Sequence, residues 1–290
     1  MTISTAEDLR TASEEISFYG ELPELVNTQI VVNGKGNVLV CEPGVKLQNS
    51  HIRFLGDHSV VYLGSNRHTY FLSLNLYNDT VFHMGRNNYI NGTLNVILSE
   101  QKHCFIGDDC LFSFGIWLRT ADPHLVYDSD TRQRTNPSKS IFIGDHVWIG
   151  QAAMLLKGTQ IDSGSIIGAM SLVAGKKIPH NESWGGVPCR KLSGNLFWEG
   201  SCVHSWTETD TKLSQHFSGI AQKKKLSESA FQFAHKPNEE ISFAVLEERL
   251  SSHDLNAIVS YLQELPLAKT KNRFVHCFTP PQKRIWLRRR

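Results

Sequence analysis

The stretch Ile143–Ile178 reads IGDHVWIGQAAMLLKGTQIDSGSIIGAMSLVAGKKI. Ile143, Ile149, Leu155, Ile161, Ile167 and Val173 are all aliphatic and stand six residues apart. Four residues after the first five of these come Val147, Ala153, Thr159, Ser165 and Ser171, which are small or β-branched. A helix with about 3.6 residues per turn would scatter a period of six around its surface. A strand of period two gives no reason for one position in six to be aliphatic throughout. Short strands meeting at corners account for both features. Each hexad builds one flat side, its aliphatic residue points inward, and the small residue leaves room where the backbone turns. Gly144-Asp145-His146 and Asp162-Ser163-Gly164 supply the turn residues. Stacked coils then share one continuous core. The spacing predicts a mainly β chain folded as a parallel β-helix.

Upstream the frame returns in Ile106-Gly107-Asp108-Asp109-Cys110-Leu111 and Phe112-Ser113-Phe114-Gly115-Ile116-Trp117. Regular coils are therefore expected over residues 104–178. Val38–Leu98 is rich in β-branched and aromatic residues with Gly and Asn turns, and residues 30–100 are read as less regular coils. Ala121–Ser140 is polar, contains Pro and breaks the hexads, so a loop extruded from the solenoid is expected there. The hexads stop near Leu192, which divides a solenoid of residues 1–192 from an extension of residues 193–290. Within the extension, the spacing of Leu246, Leu250, Leu255, Ile258, Val259 and Leu262 predicts helix over 239–265, broken near Ser251–Asp254, where Ser or Asp can cap. The chain ends in a basic, partly apolar tail, Lys283–Arg290.

Composition narrows the function classes. The 290 residues carry a formal net charge of +2, with 40% hydrophobic and 20% charged residues. The basic residues are dispersed, so no nucleic-acid partner is indicated. No apolar run approaches the roughly 18–20 residues needed to span a bilayer, and the N-terminus lacks the basic-then-apolar pattern of a secretory signal. The six cysteines show no C-x-x-C pair, which argues against zinc and for reduced thiols in a cytoplasmic protein. Four arginines around Ile285, Trp286 and Leu287 would give the tail a weak, salt-sensitive attraction to the inner face of an anionic membrane.

The run Ser140–Gly150 resembles the I-G-D-x-V-W-I-G signature of the hexapeptide-repeat acyltransferases. Gly168–Val173 resembles their G-A-x-S-V-V segment, and Ile178–Asn181 with Gly186–Arg190 resembles the I-P-x-N and G-x-P-A-R that close their last coil. Asp122-Pro123-His124 ahead of a long loop is similar to the sugar and capsular-polysaccharide O-acetyltransferases within that superfamily. The resemblance implies a left-handed parallel β-helix that transfers acetyl from acetyl-CoA, without a metal, to a carbohydrate hydroxyl. It implies a homotrimer with active sites shared between subunits. It makes His124 the general base. An imidazole with an unperturbed pKa near 6.5 is suited to accept the hydroxyl proton, and Asp122 is a candidate to orient the ring. Trp148 is expected at the mouth of the acetyl-CoA site, where it packs or steers the acceptor. Gly150, Gly168 and Ala169 would let pantetheine approach the backbone. Lys176, Lys177 and Arg190, with Lys191 beside them, would meet the phosphates. Here the chain departs from the family, because Gly175-Lys176-Lys177 is one residue longer than the usual V-T-K-x-I-P.

His146 is the alternative base. Three other functions compete: N-acetylation of an amino sugar or nucleotide-sugar, a non-catalytic assembly module, and a zinc carbonic anhydrase using His103, His124 and His146. The spacing of those histidines does not reproduce the anhydrase's close ligand pair.

Overall fold

The computed structural model describes residues 1–12, 14–224, 234, 240–265 and 272–276. Its centre is a left-handed parallel β-solenoid of about seven turns, triangular in section. The first face carries eight parallel strands, from Ile16–Gly20 through Asn37–Cys41, Val60–Leu63, Val81–Met84, Cys104–Ile106, Ile141–Ile143 and Gln160–Ile161 to Lys177–Ile178. The second face carries Tyr89–Ile90, Leu111–Phe112, Trp148–Ile149, Ile166–Ile167 and Ser183–Gly185, and is closed by the antiparallel strand Arg190–Ser193. The third runs from Gln29–Val32 to Leu172–Ala174 and includes Leu94–Leu98, Trp117–Arg119 and Met154–Leu156.

The solenoid begins at Ile16, earlier than residue 30, where the sequence pattern becomes readable. Coil length explains the difference. Asn88 lies below Cys110, 22 residues on, whereas Asp145 lies below Ser163, only 18 residues on. The extra residues of the upper coils sit in the corners, so aliphatic residues still stack while their sequence spacing leaves six. Leu39, Val61, Phe82, Cys104 and Ile141 are in register on the first face and all enter the core. Each fully buried aliphatic side chain contributes roughly 1.5–3 kcal/mol. Asparagines help the wide corners turn. Asn27 and Asn49 adopt φ of 46° and 47°, and the amide of Asn27 donates to that of Asn49 at 2.7 Å. Between Asp108 and Asp145 the step is 37 residues, which marks the extruded loop.

The extension packs on the solenoid. Helix Phe243–Leu250 is capped by Ser242 and helix Leu255–Glu264 by Asp254, whose carboxylate accepts from the Asn256 and Ala257 amides. The break between them falls where the spacing predicts it. Their apolar faces meet the outward side chains of the first face: Val38, Val40, Val60, Tyr62, Val81, Phe105 and Phe142. Phe142 stacks on Phe243 at 5.3 Å, and Phe105 meets Phe274 edge-on at 4.9 Å. The five first-face strands from Asn37–Cys41 to Ile141–Ile143 are thus buried on both sides, as their apolar runs require. Residues 195–225, for which the sequence pattern makes no assignment, hold the short helices Glu208–Leu213 and Phe217–Lys224. The basic tail 283–290 lies outside the described residues. No described helix is long and apolar enough to cross a membrane.

Candidate active site

His124 lies on the loop that leaves the third face after Arg119 and rejoins the first at Ile141. The loop folds on itself. Tyr127 bridges Arg134, and the Asp128 carboxylate turns the tip by accepting from the Asp130 and Thr131 amides. Its base is fastened by Arg134, which donates to both oxygens of Glu100 at 2.8 and 2.9 Å, and by the Ser138 hydroxyl on the same carboxylate. Arg134, and then Ser138, lower the Glu100 pKa to about 2.

Asn136 holds the histidine segment. Its buried side-chain amide donates to the His124 carbonyl at 2.8 Å and to Asp122 at 3.2 Å, and its oxygen accepts from the Val126 amide at 2.9 Å. The His124 side chain itself is exposed. The sequence motif makes Asp122 the candidate to orient that ring. Among the described residues its carboxylate bonds instead to Lys157 Nζ at 2.5 Å and to Asn136. The Lys157 bond is the main reason the Asp122 pKa is lowered, with Asn136 and the charge of Arg119 acting in the same direction. Asp122 therefore shapes the loop around His124 within this chain. Lys157 also donates to the Asn136 carbonyl, closing the knot.

Trp148 stands on the second face in register with Leu111 and Ile166, and is 40% exposed. Its ring lies 6.0 Å from that of Trp198. His146 stacks flat on Trp198 at 4.0 Å, and each residue bonds to the other's backbone carbonyl. Burial lowers the His146 pKa, with the carbonyl of Trp198 opposing. This histidine is a packing element. His103 is buried too, where it accepts from the Val81 amide and bonds to Ser251. His103, His124 and His146 therefore serve separate places. Among the described residues no three His, Cys, Asp or Glu side chains are placed to hold a metal ion.

Gly150 and Gly168 occupy successive turns of one corner but face different constraints. A Cβ on Gly150 would stand 2.5 Å from the Ala169 nitrogen of the next coil, so coil stacking alone demands glycine there. A Cβ on Gly168 would meet nothing nearer than 3.6 Å, and Ala169 is exposed. Lys176 lies at the corner before Lys177–Ile178, and its charge reaches the Cys189 thiol beside Arg190. Lys177 and Arg190 are exposed, whereas Lys191 is paired with Glu182. The corner from Val173 to Ile178 is one residue shorter than that from Leu155 to Ile161, and the coil from Ser163 to His180 accordingly spans 17 residues.

Between the loop and the third face lies a cleft of about 480 Å³. Tyr77, Ile97, Arg119, Pro123 and Leu125 are among its walls, so the residues on both sides of His124 line it. No motif in the sequence marks Arg119, Asn136 or Lys157. Asn136 sits in the expected loop, but its partners become visible only once the loop closes.

No family model matches the chain. A polysialic acid O-acetyltransferase of Neisseria meningitidis is 25% identical over 190 residues, which cover 66% of this chain and 88% of that protein. Over that length the chain resembles the hexapeptide-repeat acyltransferases. A galactoside O-acetyltransferase of Escherichia coli (strain K12) is 36% identical over 110 residues, 38% of this chain and 52% of that relative. The crystal structure of the polySia-specific acetyltransferase NeuO superposes on 73% of this chain and 95% of its own, with a TM-score of 0.60 at 24% identity, and so shares its fold.

Proposed function

We propose that the protein transfers acetyl from acetyl-CoA to a hydroxyl of a capsular or surface polysaccharide, with His124 as the general base. The observation that carries the reading is the fixed position of His124. Asn136 clamps its backbone, and its neighbours Pro123 and Leu125 form the cleft wall. The relatives named as O-acetyltransferases of polysialic acid and galactosides support a carbohydrate acceptor.

In the proposed reaction His124 takes the hydroxyl proton as the oxygen attacks the thioester carbonyl. The C–S bond then breaks, and the proton passes to the departing thiolate. No acyl-enzyme is needed, because the thioester is already activated. The open corner at Gly168 and Ala169 suits pantetheine, which can approach the backbone there. Lys176, Lys177 and Arg190 suit the phosphates. Exposed Trp148 is suited to pack where the two substrates meet. The apolar loop residues Leu125, Val126 and Tyr127 are each more than half exposed, which favours a homotrimer in which the loop covers a neighbour.

Release of CoA thiol from acetyl-CoA tests the reading, with polysialic acid, a galactoside, an amino sugar and no acceptor as parallel arms. Acceptor-dependent release with a hydroxyl sugar, lost in His124→Ala, is expected. Release with the amino sugar alone would overturn O-transfer.

A further inference from the structure

We infer that Arg119 binds a carboxylate of the acceptor sugar and so selects an acidic polysaccharide; the inference rests on reading the loop cleft as the acceptor site. Arg119 ends the strand Trp117–Arg119, between Ile97 and Leu156 of the adjoining coils. Leu118 enters the core, so Arg119 points outward into the cleft it lines. Its Nε is fully removed from solvent, yet among the described residues no acceptor meets it. An atom without exposed surface is beyond a ligand's reach, so the donors left for one are the outer N–H groups of the guanidinium, which no carboxylate among the described residues engages.

The other charges around the cleft are already matched by direct contacts. Glu100 is bound by Arg134 and Ser138, and Asp122 by Lys157 and Asn136. Three cations, Arg119, Arg134 and Lys157, stand against two carboxylates, Glu100 and Asp122. The surplus positive charge resides on Arg119. A guanidinium presents two parallel N–H groups that match a carboxylate. Half-exposed Tyr77 and Leu125 offer apolar surface for the sugar ring beside it. An acidic sugar anchored at Arg119 would present its hydroxyls toward the loop that bears His124, five residues further along the chain.

The test is binding of the full chain, without acetyl-CoA, to oligomers of polysialic acid and of polygalacturonic acid. Each is paired with its carboxyl-reduced counterpart. At least one acidic oligomer should bind more tightly than its reduced form. Arg119→Gln should weaken that binding about ten- to a hundred-fold, the loss expected for one charge-assisted contact, and should leave the reduced oligomer unaffected. Arg119→Lys should fall between. In acetyl transfer the same variants should raise KM for the acidic acceptor more than they lower kcat. Equal weakening for both forms would make Arg119 a packing residue and overturn the inference, as would a wild type indifferent to carboxyl reduction. Transfer to a neutral galactoside as efficient as to every acidic acceptor would overturn the inference and leave the proposed activity standing. Arg119-dependent binding with no transfer to any acceptor would do the reverse.

Discussion

Arg273 grips Asp145 at two points: Nε donates to Oδ2 and Nη2 to Oδ1, each at 2.8 Å. Asp145 belongs to the hexad motif, and Arg273 follows it by 128 residues. Both are buried, and Nη2 also reaches Asp108 at 2.7 Å. Removing the arginine strands the buried Asp145 carboxylate and leaves the half-buried Asp108 without its ion pair. Arg273→Met should therefore cost about 3–5 kcal/mol, measured by urea unfolding. Amide exchange should quicken first in the helices Phe243–Leu250 and Leu255–Glu264. A loss below about 1 kcal/mol would show that the clasp is not structural.

His124→Ala should lower acetyl transfer by about 10²–10⁴-fold, the usual contribution of a general base. The side chain is exposed, so the unfolding temperature should not move. A variant retaining half the wild-type rate would exclude the assignment.

Asn136 acts through His124 and is a positioning residue. Asn136→Ala frees the His124 carbonyl and the Val126 amide, a local loss of about 1–3 kcal/mol. Faster exchange at Val126 and a drop in kcat are expected, with little change in KM for acetyl-CoA. If kcat holds while the loop loosens, the clamp has no catalytic consequence.

The two corner glycines should separate by readout. Gly150→Ala forces a Cβ against the Ala169 backbone and should destabilise the stacked coils. Gly168→Ala makes ordinary contacts and should fold normally, while raising KM for acetyl-CoA if pantetheine lies along that corner. Unchanged KM in a folded Gly168→Ala would move the cofactor elsewhere.

Acid should unfold the protein partly through two buried histidines. Burial lowers the pKa of His83 and of His103 to about 3. In the unfolded chain such rings protonate near pH 6.5. Between those values the unfolded state holds more protons, so stability falls as pH drops, by up to about 1.4 kcal/mol per pH unit for each ring. His83 stacks between Tyr62 and Phe105, and His83→Phe should keep that stack while making the acid limb shallower. An unchanged slope in urea unfolding from pH 6 to 4 would refute the contribution.

From Ile143 to Ile178 the sequence alone determines the coil, because with 18 residues per turn the stacking rule and the sequence period coincide. It also marks the loop, the histidine at its start and the capped helices, all of which are local signals. At 21 or 22 residues per coil the upper turns obey the same stacking, but their wide corners hide it from any fixed period. The apolar runs NVLVC, VVYL and VFHM lack the alternation of a half-exposed strand. They could have signalled a covering layer, although not which segment supplies it. Tertiary structure alone decided that Phe243–Leu265 and Phe274 cover that face. It also decided that Asp122 serves Lys157, 35 residues away, and that Asn136 holds His124 from 12 residues away. A solenoid brings residues together one coil apart, at a distance set by corner and loop lengths, and hydrogen-bond partners chosen that way leave no periodic trace in the chain.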